Sequence, residues 1–248
     1  MLDDLKGKVV VVTGGVTGIG GAASLAFAAA GARVFAQYLG GGAELMVIEK
    51  AGIATLKLDL TEKGAGEKLM DAAIARFGRI DVLVNNAGSL VARVPVVDVD
   101  DDFIDRVFDL NCRQLIHCCR LAARLMKAQG SGNIINVTSI AARNGASPGG
   151  AVYAGAKAFV SAFSKTLAKE LVGNGVRVNC VSPGTIHTAF HDRFSDEAKR
   201  EATRKTIPMQ RLGLAQDCAG TFLYLASDAA SGYVTGQVIE VNGGQLMA

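Results

Sequence analysis

The 248-residue chain has few of the residues that supply metal or disulfide chemistry. Its five cysteines, Cys112, Cys118, Cys119, Cys180 and Cys218, form no Cys-x-x-Cys pair, and two of its three histidines share one loop. No metal site or disulfide framework is expected, and the cysteines read as small, reduced core residues. The net charge is only +3 and is dispersed along the chain. That is too little to argue for a nucleic-acid partner or a membrane surface. No apolar stretch reaches the roughly 18 to 20 residues that span a bilayer without Gly or a charge breaking it. The first apolar run passes straight into a Gly-rich turn, with no basic region before it and no small-residue cleavage site after it. A soluble, cytoplasmic protein is the expectation. Repeats and low-complexity tracts are also missing.

What remains is 50% hydrophobic and 20% charged, enough for one large α/β domain over residues 1–248. Residues 8–12, Lys-Val-Val-Val-Val, make a short β-branched run of the kind buried on both faces of a parallel sheet. It ends in Thr13-Gly-Gly-Val-Thr-Gly-Ile-Gly20, and an Ala-rich helix over 21–30 follows until Gly31 stops it. Strand, glycine turn and helix together offer backbone N–H groups and a helix dipole to a pyrophosphate. The glycine spacing departs from Gly-x-Gly-x-x-Gly, but the physical context for a nucleotide site survives.

Strand and helix then alternate: strands over 33–37, 53–58, 80–84, 133–139, 175–181 and 238–241, helices over 43–51, 64–77, 100–128, 152–171 and 215–227. Near the end of the second strand an acidic residue would grip a ribose 2′-hydroxyl. Gln37-Tyr38-Leu39-Gly40-Gly41-Gly42 stands there instead. A 2′-phosphate there meets Gln37, Tyr38 and the backbone N–H groups of Leu39 to Gly42 with no carboxylate to repel it, so NADP(H) is slightly preferred over NAD(H). Thr17, Arg33 and Tyr38 leave that choice open. Asp59-Leu60 closes the third strand, where the carboxylate either accepts from an adenine amino group or caps the next helix. Asn85-Asn-Ala-Gly88 closes the fourth, as part of the cofactor cleft or as a structural turn. Asn111 inside the 100–128 helix has mediocre propensity, which points to a bend or a held water.

Tyr153-Ala-Gly-Ala-Lys157 puts a phenol and an ammonium one turn apart on one helix face. A nearby cation favours the phenolate, and lowering its pKa by about three units takes roughly 4 kcal/mol. Such a Tyr can pass a proton to or from a substrate oxygen. The strand over 133–139 ends at Ser139, and this geometry can gather Ser139, Tyr153 and Lys157 at one point. Residues 186–211 are polar and helix-prone with few anchors, which suits a substrate lid. Within and after it, His187, His191, Arg193, Arg204 and Lys205 could meet an anionic or polyhydroxylated substrate, or form a solvated face balanced by Asp192, Asp196, Glu197 and Glu201.

With these residues placed, the chain resembles the short-chain dehydrogenase/reductase family over nearly its whole length. The motifs occur in order: Thr13-Gly-x-x-x-Gly-Ile-Gly20, Asp59, Asn85-Asn-Ala-Gly88, Asn111, Ser139, Tyr153-x-x-x-Lys157, and Pro183-Gly184 through Thr188. The resemblance implies a doubly wound, Rossmann-type three-layer α/β sandwich with a seven-stranded parallel sheet ordered 3-2-1-4-5-6-7. It also implies a nicotinamide cofactor held by Gly14, Thr17, Gly18, Ile19, Gly20, Tyr38, Asp59, Leu60, Asn86, Ala87, Gly88, Tyr153, Lys157, Pro183, Gly184, Ile186 and Thr188. Its catalytic set is Tyr153 as acid/base, Lys157 on the ribose hydroxyls and depressing the Tyr153 pKa, Ser139 orienting the carbonyl, and Asn111 fixing a water. Within the family the 3-oxoacyl-carrier-protein reductases and the sugar or polyol dehydrogenases are most similar. Ser139 and Tyr153 are 14 positions apart, one more than is common there.

The implied activity is hydride transfer between nicotinamide and a secondary alcohol or ketone. A homotetramer, or at least a dimer, is expected from apolar residues such as Phe159 and Phe163 lying beyond one inward stripe. The alternative of another class is a catalytically silent dinucleotide-binding regulator. An intact Ser139, Tyr153 and Lys157 argues against it, since a pure binder needs no poised phenol.

Overall fold

The computed structural model describes residues 2–188 and 197–247. The expected alternation is present as β1 (Val9–Thr13), α1 (Gly18–Ala29), β2 (Arg33–Tyr38), α2 (Gly42–Lys50), β3 (Ala54–Lys57), α3 (Ala65–Phe77) and β4 (Val82–Asn85). It continues through α4 (Asp101–Phe108), α5 (Gln114–Gln129), β5 (Gly132–Val137), α6 (Ala141–Asn144), α7 (Ala151–Leu171) and β6 (Val176–Pro183). Beyond these lie β7 (Ile186–His187), α8 (Glu197–Thr206), β8 (Gly213–Leu214), α9 (Ala215–Ala226), α10 (Asp228–Ser231) and β9 (Val238–Val241).

Seven strands form one sheet ordered β3-β2-β1-β4-β5-β6-β9, all neighbours parallel. This is the expected order, with β9 as the seventh strand once the small β7–β8 pair is counted separately. The alternation of side chains divides the core into two layers. Val11, Leu83, Ile134 and Val178 face α3, α5 and α7, where Leu69, Leu115, Met126 and Leu167 pack on them. Val10, Val12, Val82, Val84 and Ile135 face the other way, onto Phe27 of α1 and Phe222 of α9. All four β1 valines are fully buried, each contributing roughly 1.5 to 3 kcal/mol relative to exposure.

The helix expected over 100–128 runs without a gap from Asp101 to Gln129, with one π-turn inside it. Asp100 caps α4 by accepting from Phe103 N at 2.7 Å, and a π-turn at Asp109–Arg113 separates α4 from α5. Asn111 lies in that turn and is buried. Its Nδ2 donates to Val107 O and to Ser89 O, both at 2.8 Å, while its Oδ1 accepts from Ser89 N at 3.2 Å. The π-turn is therefore pinned to the segment that follows β4.

The C-terminal end of the domain is held by a buried cation. Arg177 in β6 donates to Leu225 O at 2.9 Å, Ser231 Oγ at 3.1 Å and Val234 O at 3.2 Å, and pairs with Asp228 at 3.0 Å. The bond to Leu225 O satisfies a carbonyl in the last turn of α9 that the helix itself leaves without a donor, and the others tie β6 to the chain that follows α9. Among the described residues, no helix is long and apolar enough to cross a membrane. Of the expected lid over 186–211, residues 189–196, with His191, Asp192, Arg193 and Asp196, lie outside the described residues.

Candidate active site

A cavity of about 940 Å³ opens at the C-terminal ends of the strands. Every site residue expected from the sequence lines it except Gly20 and Asn111. Both of these sit directly behind its wall.

At the β1–α1 turn, Gly14 and Gly18 have φ of +59° and +53°, a region that favours glycine. A Cβ on Gly20 would collide with Gly14 O and Asn86 Nδ2. Asn86 Nδ2 donates to Thr13 O and Gly14 O at 3.1 Å, and Thr13 Oγ1 accepts from Asn86 N and Ala87 N at 3.0 Å. The Asn85–Gly88 turn thus locks the glycine turn from one side. Helix α1 has no side-chain cap on Thr17 and no acid in its first turn. Its N-terminal N–H groups and dipole are left to an anion such as a pyrophosphate, so these residues fit the dinucleotide that the sequence implies.

Two expectations at the far end of this cleft are corrected. Gln37 does not offer its amide to a 2′-phosphate. The residue is buried; Oε1 accepts from Gly14 N at 2.9 Å and Nε2 donates to Leu58 O at 2.5 Å. Arg33 lies at the opposite end of β2, its guanidinium 4.6 Å from the Phe77 ring centroid, so it takes no part in cofactor choice. The end of β2 presents Tyr38, Leu39 and Gly40 to the cavity. Asp59 also lines it, but Asp59 does not cap α3, which starts six residues later at Ala65. Asp59 Oδ1 instead accepts from Thr61 N at 2.9 Å and Thr61 Oγ1 at 2.7 Å, a local turn.

Ser139, just past β5, meets Tyr153 and Lys157 of α7. The Ser139 and Tyr153 hydroxyls are hydrogen-bonded. Lys157 is buried, donates to Val137 O at 2.9 Å, and holds its Nζ 5.8 Å from the Tyr153 ring centroid. Gly88 closes this corner, because a Cβ there would stand 2.7 Å from Asn111 Oδ1 and 3.1 Å from Lys157 Nζ.

The proton affinities differ from expectation. Burial pushes the Tyr153 phenol up to about 12, with the Ser139 hydrogen bond acting the other way. Burial likewise pulls Lys157 down to about 8, opposed by Cys112 and Cys180. The family resemblance implies that Lys157 depresses the Tyr153 pKa. In the protein alone desolvation of both groups wins, and the ammonium is directed at a strand carbonyl. With its pKa raised by burial, Tyr153 is a neutral phenol at neutral pH. Asn111, for which a water-holding role was expected, has its side chain committed to Ser89 and Val107.

The outer wall contains residues the sequence reading missed: Leu90, Val91, Arg93, Asn144, Arg200 and Gln245 among them. The longer Ser139–Tyr153 loop carries α6 and is stitched to the strand-following segment by Val94 N to Gly149 O at 2.9 Å. Gly149, at φ +80°, lies so close that a Cβ would be 3.0 Å from Arg93 Cβ. No periodic signal marks these residues, since they meet only through tertiary structure. On α8, Arg204 and Lys205 reach Glu201 at 2.6 and 3.9 Å, and His187 is exposed. None of these three lines the cavity.

Comparison with known proteins gives a consistent picture. A family model described as enoyl-(acyl carrier protein) reductase matches residues 14–245. The chain is 38% identical to a 3-oxoacyl-[acyl-carrier-protein] reductase of Synechocystis sp., covering 98% of both chains. Among solved structures, it is 36% identical to the NADH-dependent reductase A1-R′ complexed with NAD, covering all of both chains with a TM-score of 0.87. A putative NAD(P)-dependent gluconate 5-dehydrogenase from Beutenbergia cavernae, with bound NADP, is 33% identical, with a TM-score of 0.91 and complete coverage of both chains.

Proposed function

The chain belongs to the short-chain dehydrogenase/reductase family and is an oxidoreductase, and from that premise we propose that Tyr153, Ser139, Lys157 and Asn111 reduce a ketone to a secondary alcohol, or run the reverse. A bound nicotinamide supplies or takes the hydride. Tyr153 donates a proton to the substrate oxygen during reduction, and the neutral phenol suits that direction. Ser139 orients the same oxygen through its hydroxyl. Lys157 binds ribose hydroxyls, and Asn111 fixes the wall behind Gly88. The observation that carries this reading is the joining of the Ser139–Tyr153 hydrogen bond, Lys157 and the uncapped α1 N-terminus in one cavity.

The substrate is a small alcohol or carbonyl compound, such as a 3-oxoacyl thioester or a sugar or polyol. Ser89, Asn144, Ser147, Thr185 and Gln245 give the outer wall hydrogen-bonding groups that suit a hydroxylated substrate. The segment 186–211 serves as its lid, and the protein works in the cytoplasm as a homotetramer.

For the cofactor, NADP(H) is slightly preferred and NAD(H) is the alternative. Tyr38, Leu39 and Gly40 bring no carboxylate to the end of β2 to repel a 2′-phosphate. The test is kcat/KM with each cofactor across a panel of ketones. Oxidation of NADPH at least as efficient as that of NADH is expected. A tenfold preference for NADH, about 1.4 kcal/mol in the transition state, contradicts the cofactor assignment.

A further inference from the structure

We propose that Gln37 is a positioning residue for the cofactor cleft, its side-chain amide tying the β1–α1 turn to the end of β3. The inference rests on the nicotinamide reading above and adds a residue to it. Gln37 stands at the penultimate position of β2, between the two walls of the cleft. One wall is the glycine turn, which would hold the pyrophosphate. The other begins at Leu58 and runs into Asp59 and Leu60, on the adenosine side.

Both walls hang on this residue. Gly14 N donates to Gln37 Oε1 at 2.9 Å and Gly15 N to Gln37 O at 2.8 Å. Ser24 Oγ completes the lock by donating to Gly15 O at 2.7 Å. On the other wall Gln37 Nε2 donates to Leu58 O at 2.5 Å, and Leu58 N donates to Tyr38 O at 2.9 Å. The side chain is 3% exposed, so water does not compete for these bonds.

The chemistry requires this residue type. An N–H on one side and a carbonyl on the other demand a group that accepts at one end and donates at the other, which also fixes the orientation of the amide. Asn has the amide and lacks a methylene of reach. Glu keeps the acceptor and sets a second oxygen against Leu58 O, while Leu fills the space and bonds to neither side. Because both ends of the amide are engaged, Gln37 reads neither a 2′-hydroxyl nor a 2′-phosphate. Its loss therefore weakens both cofactors alike.

The test compares wild type, Gln37→Leu and Gln37→Glu in three readouts: Kd for NADH and NADPH without substrate, kcat at saturating cofactor, and amide hydrogen exchange of the cofactor-free protein. Gln37→Leu should raise both Kd values by a common factor of about 5 to 30, leave kcat within about twofold, and speed exchange in residues 11–19 and 56–60 together. Gln37→Glu, which keeps the Gly14 bond, should loosen 56–60 more than 11–19, and it carries the test if Gln37→Leu does not fold. Unchanged Kd values in the variant, or a loss confined to one cofactor, overturn the proposal. If wild type binds neither cofactor, the nicotinamide reading fails; exchange in Gln37→Leu then still decides whether the amide couples the two walls, and unchanged exchange overturns it.

Discussion

Tyr153 and Lys157 stand one turn apart on α7, and the burial that brings them together moves their protons in opposite directions. The sequence showed the pair and its strand-end Ser139. It could not show the burial, which depends on how β5, α7 and the Gly88 turn close around them. The consequence for Lys157 is measurable. Its pKa is about 8 in the folded protein against an ordinary 10.5, so between those values the unfolded chain binds more protons than the native one. Its contribution to stability therefore rises with pH across the window from 8 to 10.5. Below pH 8 the buried ammonium exerts its full destabilising effect. Denaturant unfolding of wild type and Lys157→Met at pH 8 and 9.5 checks this. The wild-type midpoint should gain on the variant's at the higher pH, and a difference independent of pH contradicts the assignment.

At the scale of elements, what was legible is what repeats locally. The valine run of β1, the glycine turn and the Ala-rich α1 announce themselves within about twenty residues of sequence, because burial on both faces and close packing restrict composition. The π-turn between α4 and α5 left a weaker trace in Asn111, and its other half, Ser89, is far away in sequence. Gln37 and Arg177 left none: each looks like an ordinary strand residue until its distant partners are in place. The glycine turn yields a prediction of its own. Gly20→Ala drives a methyl into Gly14 O and Asn86 Nδ2, a backbone contact that cannot relax by rotamer change. A cost of about 1 to 3 kcal/mol is expected, lowering Tm by roughly 2 to 12 °C for a domain of this size and abolishing the rise in Tm on adding NADPH. Calorimetry with and without cofactor measures both. An unchanged Tm that still responds to NADPH contradicts the packing account.

For the whole molecule, the strand order places the first six strand ends of the sheet, apart from edge strand β9, on one cavity, and this is why motifs scattered from Thr13 to Thr188 act at one place. Apolar side chains on α4 and α7 remain partly exposed. Phe159 and Phe163 of α7 stack at 5.7 Å while only half-buried, and Ile104 and Phe108 of α4 are exposed. Light scattering should give about four times the 25.7 kDa chain mass, whereas a mass that stays monomeric on concentration contradicts the homotetramer. The central claim, that Tyr153 moves the proton while the rest of the cavity holds cofactor and substrate, is tested most directly by Tyr153→Phe. With NADPH and the best carbonyl substrate of the panel, turnover should fall by about 10² to 10⁴-fold while Kd for the cofactor stays within about twofold. A variant that keeps most of its activity contradicts the account.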